Sequence, residues 1–266
     1  TAIGALEVPA ADTSIIYAGT GSECIRANVT TGRGIYKSTD AGDSWQFIGL
    51  PNAGQITSIK AHPDDPDRVF VAALGHPFGK NEQRGVFRST NGGETWEKVL
   101  YASDSTGAAD LAFHPDNPDV IYASMWRAER KPWTILSGGD NGDGLYKSTD
   151  GGDTWTKLTN GLPSGLVGNI DVAVTPAAPD RVYALVEAPG AKEGLYRSDD
   201  AGQSWRQVSD KKELMHRPFY FTHLFAHPED PDQIFVGNVQ YYVSDDAGET
   251  FETKEVTHVD VHDLWI

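Results

Sequence analysis

One cysteine, Cys24, stands in 266 residues, so no internal disulfide can form and no cysteine-rich metal site is available. No stretch approaches the eighteen consecutive apolar residues that a membrane-crossing helix requires. Basic residues are scarce: 22 Lys and Arg face 38 Asp and Glu, for a net charge of −16. That balance opposes a nucleic-acid backbone or an anionic membrane surface as partner. The opening residues TAIGALEVPA lack the basic n-region and apolar core of a secretory signal and already read as a strand. With hydrophobic residues at 39% and aromatics at 10%, the chain has material for one large all-β domain or for a ring of repeats.

Repetition dominates what is present. The segment KSTDAGDSW (37–45) returns as RSTNGGETW (88–96), KSTDGGDTW (147–155), RSDDAGQSW (197–205) and VSDDAGETF (243–251). Its marker position is Asp40, Asn91, Asp150, Asp200 and Asp246, at spacings of 51, 59, 50 and 46 residues. Each copy reads as a hairpin turn. An apolar strand precedes it, Ser and Asp side chains bond to the turn backbone, and Gly supplies a positive φ. The closing aromatic is expected to fold back as an apolar plug.

A second pair of strands completes each unit. ITSIKAHPDDPDRVFVAAL (56–74), ADLAFHPDNPDVIYASM (109–125), IDVAVTPAAPDRVYALV (170–186) and FTHLFAHPEDPDQIFVG (221–237) all read strand, proline-bounded turn, strand. IGALEVPAADTSIIYAG (3–19) is a diverged copy. Four short antiparallel strands per repeat make one propeller blade. The expected fold is an all-β propeller with blades at about 3–48, 56–99, 108–158, 169–208 and 220–254, and with 258–266 as the first strand of a sixth. A piece of a longer propeller is the preferred reading, and a five-bladed ring with a tail is the alternative. Open edges in such a piece would favour homo-oligomers.

These residues resemble the BNR/Asp-box propellers over essentially the whole chain. RKPW (130–133), SGG (137–139), GLYKSTDGGDTW (144–155) and HDLWI (262–266) are similar to bacterial sortilin-like or glycosyl-hydrolase-like repeat proteins related to xyloglucanase propellers. A secreted or periplasmic setting is expected with that resemblance. The fold does not transfer chemistry. A sialidase is disfavoured, because no Arg-Ile-Pro motif stands near the first blade, whose arginines are Arg26 and Arg33.

Blade topology puts the box turns and the proline turns on one face, and the irregular connections on the other. Arg26, His76, Arg130, Trp133, Arg217 and Tyr220 fall in those connections and are candidate ligand-binding residues. Alignment of the inner strands on their prolines places Ser58, Asp110, Asp171 and His223 at one register, joined by Asp263. Carboxylates there can act as a general acid and base on a glycoside, at roughly 6.5–9.5 Å for inversion or about 5 Å for retention. They can equally cap inner-strand amides. His258, Asp260 and His262 alternate and would share one face of a strand, yet they would span about 13 Å, too far for one metal ion without a bulge.

No cofactor is expected. The functional expectation is a glycoside-hydrolase-like propeller that acts on or binds a polysaccharide; the alternative is a noncatalytic scaffold for a protein, peptide or glycan.

Overall fold

The computed structural model describes residues 2–139, 141–220 and 222–266. Phe221, at the start of the fifth unit's inner segment, and Asp140, in the third unit's long loop, lie outside the described residues. Five antiparallel sheets follow one another along the chain, each with its strands in sequence order from the inside outward. Together they build a β-propeller. The first comprises Ile3–Glu7, Ile16–Thr20, Ile35–Ser38 and Gln46–Gly49. The second comprises Gln55–His62, Asp65–Gly75, Gly85–Ser89 and Glu97–Leu100. Thr106–His114, Asn117–Arg130, Gly144–Ser148 and Thr156–Lys157 make the third. Ile170–Val174, Val182–Val186, Gly194–Ser198 and Arg206–Ser209 make the fourth. The fifth is His223–Ala226, Ile234–Gly237, Tyr241–Ser244 and Glu252–Lys254. Among the described residues there is no α-helix, and none of the helices is long and apolar enough to cross a membrane.

All five boxes close in the same way. The Ser hydroxyl donates to the Asp or Asn side chain two residues on, at 2.7–2.9 Å. The same hydroxyl accepts the N–H of the glycine four residues on at 2.8–2.9 Å. That glycine holds φ near +90°, a conformation closed to most side chains (Gly152 is at +90°). The second to fifth boxes then seat on the sheet before them: Ile48 with Trp96, Val99 with Trp155, Leu158 with Trp205 and Val208 with Phe251 share apolar clusters.

Two expectations meet a different outcome. The plug reading holds for Trp205, only 6% exposed, but Trp45 is 44% exposed because no described sheet precedes its own. The long third-sheet connection, expected as irregular, begins as a continued strand. Asn117–Arg130 runs past its sheet and is met by a short strand, Ile135–Ser137. Buried Trp126 and Ala128 give that extension an apolar side to pack on.

Residues 258–266, expected as the first strand of a sixth blade, form no strand here. Backbone bonds from Asp260 to Val239 (3.2 Å) and from Val261 to Asn238 (2.8 Å) hold them along the fifth sheet.

Candidate functional site at the channel waist

The inner strands of the five sheets line a channel. On the face carrying the irregular connections it widens into a vestibule of about 350 Å³, lined among others by Ser58, Asp110, Asp171, Tyr220, His223 and Asp263. On the proline-turn face lies a second hollow of about 500 Å³. Lys60, Asp110, Asp171 and His223 border both, so they form the waist between them.

At that waist the inner strands are stitched to one another by side chains. Glu7 of the first sheet accepts the Ala61 N–H of the second at 3.0 Å, and Thr57 of the second donates to the Ala108 carbonyl of the third at 3.2 Å. Asp110 of the third accepts the Val172 N–H of the fourth at 3.1 Å through Oδ2, while its Oδ1 accepts the Leu111 N–H at 2.7 Å. Asp171 of the fourth accepts the Leu224 N–H of the fifth at 2.6 Å. An inner strand bordering a channel leaves backbone donors without a ladder partner, and an unpaired buried donor costs about 1–3 kcal/mol. The register of polar side chains answers that need.

The same carboxylates interact with one another. Burial first, then the charge of Asp171, push the Asp110 carboxyl well above its ordinary range. Burial opposes charge on His223, yet the Asp171 carboxylate 3.7 Å from its Nδ1, with Glu23 and Asp110 behind, raises the imidazole to about 9. His223 Nε2 lies 3.7 Å from Glu23 Oε1, whose own carboxyl is raised by burial despite that cation. The waist is thus the Asp110 and Asp171 carboxyls, the raised His223 imidazole and the Glu23 carboxyl in series.

For acid/base hydrolysis the geometry is crowded. Asp110 and Asp171 lie near enough that the charge of Asp171 raises the Asp110 carboxyl, whereas a glycosidase pair is set roughly 5 Å apart for retention or 6.5–9.5 Å for inversion, with room for the sugar or a water between them. Both also accept backbone amides. Asp263 is exposed at the vestibule, its Oδ1 accepting the Leu264 N–H at 2.8 Å.

The loop-face candidates divide. Tyr220 lines the vestibule, and Arg26 lies 4.8 Å above its ring and donates to its hydroxyl at 3.0 Å. His76, Arg130, Trp133 and Arg217 do not line it. His76 Nδ1 accepts the Phe78 N–H within its own loop at 3.2 Å, and Arg130 is tied through its N–H to the Pro77 carbonyl at 2.6 Å. Trp133 is 83% exposed on the projecting hairpin, and Arg217 is exposed in a left-handed turn.

His258, Asp260 and His262 are not gathered. Among the described residues no three His, Cys, Asp or Glu side chains stand close enough to hold a metal ion. Asp260 takes φ +70°, which breaks the alternation that would have shared one face. His262 turns instead to the Tyr220 ring, edge-on at 5.5 Å.

Glu7, Glu23, Thr57 and Lys60 escaped the sequence reading. Lys60 follows Ser58 by two positions and so shares its strand face, a usable signal; Glu23 lies in an irregular loop where no register exists to find it.

The family model described as "Sortilin, neurotensin receptor 3" matches residues 33–187. A xyloglucanase of Paenibacillus sp is 31% identical over 153 residues, 49% of this chain and 14% of that one. A vacuolar protein sorting/targeting protein 10 of Verticillium alfalfae is 34% identical over 95 residues, 34% of this chain and 6% of that one. Among solved structures, an ancestral GH74 enzyme superposes with a TM-score of 0.70 at 18% identity, over 95% of this chain and 31% of that one. The chain therefore spans a small part of the length of these relatives.

Proposed function

The chain belongs to the Sortilin-Vps10 family, and from that premise we propose that it is a noncatalytic recognition segment of a propeller. Its loop-side vestibule takes a polypeptide with a basic side chain. One observation carries the reading: Asp110 and Asp171, the candidate acid and base, are committed to the Val172 and Leu224 amides of the neighbouring sheets. Glu23 and Asp263 add carboxyl groups to a vestibule whose walls include Trp126, Phe219 and Tyr220. Acid beside aromatic surface suits a Lys or Arg side chain, which presents an apolar stem and a cationic head. An extracellular or periplasmic setting goes with this reading, as does a longer propeller in which further blades complete the wall.

A second reading has its own support. The relatives named xyloglucanase match about half of the chain, and Trp133 offers a flat exposed ring on the loop face. Under that reading the loop face binds a glycan.

The test is a peptide array probed with the purified protein, beside a reducing-end assay on xyloglucan. Expected are binding to Lys- or Arg-containing peptides, at least tenfold weaker for Asp263→Asn and Tyr220→Ala, and no release of reducing ends. Xyloglucan turnover that drops a hundredfold in Asp110→Asn, the loss expected on removing a general acid, would overturn the proposal.

A further inference from the structure

Four neighbouring pairs of inner strands are stitched by a side chain bonded to backbone. Between the fifth sheet and the first, the described residues make contacts of another kind, several of them from the loop after the first sheet's second strand. Residues 22–30, between the second and third strands of the first sheet, carry no strand or helix. The base of this loop is fixed by bonds that need no charge. Ser22 N–H donates to the Thr30 carbonyl at 3.1 Å, Gly32 N–H to the Gly54 carbonyl at 2.8 Å, and Gln55 Nε2 to the Thr30 carbonyl at 3.0 Å.

The tip reaches over to the Phe219–Tyr220 segment beside the vestibule, which Glu23 lines. Ile25 is fully buried in a small cluster with Leu74, Trp126 and Ala128, and its N–H donates to the Phe219 carbonyl at 3.1 Å. On either side of it the Arg26 guanidinium covers the Tyr220 ring and Glu23 faces His223. A base fixed by uncharged bonds and a tip held by one apolar anchor, one exposed cation on a ring and one half-buried carboxyl–imidazole contact is the build of a segment that opens locally below the free energy of global unfolding.

We propose that residues 22–30 form a lid over the loop-side vestibule, pivoting at its Ser22–Thr30 base and latched at its tip by Arg26 on Tyr220 and Glu23 on His223. A ligand enters when the tip lifts and Ile25 leaves its cluster. The occupant rests on the function proposed above; the lid itself does not, because its motion is measured without ligand.

Cys24 is the reporter. It is the single cysteine of the chain, half-buried at the lid tip, with its Sγ 4.0 Å from His262 Nδ1. Burial first, then Glu23, push its thiol up to about 12, while Arg26 pulls it down. Labelling by an uncharged disulfide such as 4,4′-dithiodipyridine at pH 8 should quicken at least tenfold in Arg26→Ala and by less in Tyr220→Phe, which keeps the ring and loses the hydroxyl. Electrostatics alone predicts the opposite sign for Arg26→Ala, since removing the cation lowers the thiolate fraction that reacts. A faster rate therefore reports opening. Should Arg26→Ala unfold the protein, the wild type decides: under a lid, Cys24 labels and the 22–30 amides exchange faster than global unfolding allows. Labelling unchanged or slower in both variants, or wild-type labelling no faster than global unfolding, would overturn the lid.

Discussion

The rim and the channel wall both depend on aspartates, and the two sets behave in opposite ways. At the rim, Asp40 and Asp150 are exposed and Asp200 is half-buried, and donors within their own turn hold each of them down to about 2. For Asp150 the Thr154 hydroxyl leads, then the Thr154 N–H, then Ser148. At the channel, Asp110 also accepts two backbone N–H groups, yet burial and Asp171 carry its carboxyl upward. The number of donors does not decide the direction. What decides it is whether water and the turn's donors leave the charge solvated, or burial beside a second carboxyl makes charge the costlier state. Rim aspartates organise one hairpin each; channel residues join one sheet to the next.

Joining sheets should dominate stability. Trp205 of the fourth box is buried against the third sheet, whereas Trp45, in the same motif position, is 44% exposed. Trp205→Ala is expected to cost about 3–5 kcal/mol, the usual loss for a large buried aromatic, and Trp45→Ala less than about 1 kcal/mol. Urea titrations of the two variants measure the contrast. Equal losses would mean that the box tryptophan acts within its own hairpin and not between sheets.

His223 comes next. Its pKa rises from 6.5 to about 9 in the folded chain, so its stabilisation is fully present below about pH 6.5 and is lost as pH climbs through 9. Asp171, Glu23 and Asp110 hold the charge, while His262 is itself depressed, by burial first and then by the His223 cation. The shift corresponds to something of the order of 3 kcal/mol. His223→Gln should be destabilised by up to that amount at pH 6 and should show a flat stability profile between pH 6.5 and 9, where the wild type declines. A variant that keeps the wild-type decline would place the titrating group elsewhere.

How much of this was legible in the sequence follows from the range of each interaction. The boxes were readable because Ser148, Asp150, Gly152 and Thr154 bond to one another within six residues. The register of Ser58, Asp110, Asp171 and His223 was readable because prolines end every inner strand at a matching point, and these side chains do border one vestibule. What they touch was not readable. The bond from Asp110 to the Val172 amide crosses 62 residues and two sheets. Trp45 reads like Trp205 in the motif, and only the sheet packed before it distinguishes them. Glu23 meets His223 because a loop without periodicity folds over the mouth.

The mildest substitutions sharpen the contrast most, because they change charge and keep shape. In Asp110 the raised pKa means that the folded state binds the proton more tightly than the unfolded one. Stability contributed there is fully present below the unfolded carboxylate value and is lost as pH rises through the folded one. Asp110→Asn stays neutral and still offers an oxygen to the Val172 N–H. It should therefore cost no more than about 1 kcal/mol near pH 4 and should draw level with the wild type at higher pH.

Asp150→Asn should do the reverse, and by less. Its folded pKa of about 2 lies below the unfolded 3.8, so the wild-type contribution is present above pH 4 and disappears as pH falls through 2. The second box already carries the amide: Asn91 accepts the Ser89 hydroxyl at 2.9 Å and the Thr95 N–H at 3.0 Å, and its Nδ2 donates to the Thr95 hydroxyl at 2.9 Å. That turn closes without a charge, so Asp150→Asn should fold normally, fall slightly short of the wild type at pH 7, and become indistinguishable from it at pH 2. Denaturant titrations of both variants at pH 2, 4 and 7 decide the matter. Opposite slopes confirm that one residue type is a charged brace at the rim and a protonated stitch at the channel, whereas parallel slopes would show that the two sets share one environment.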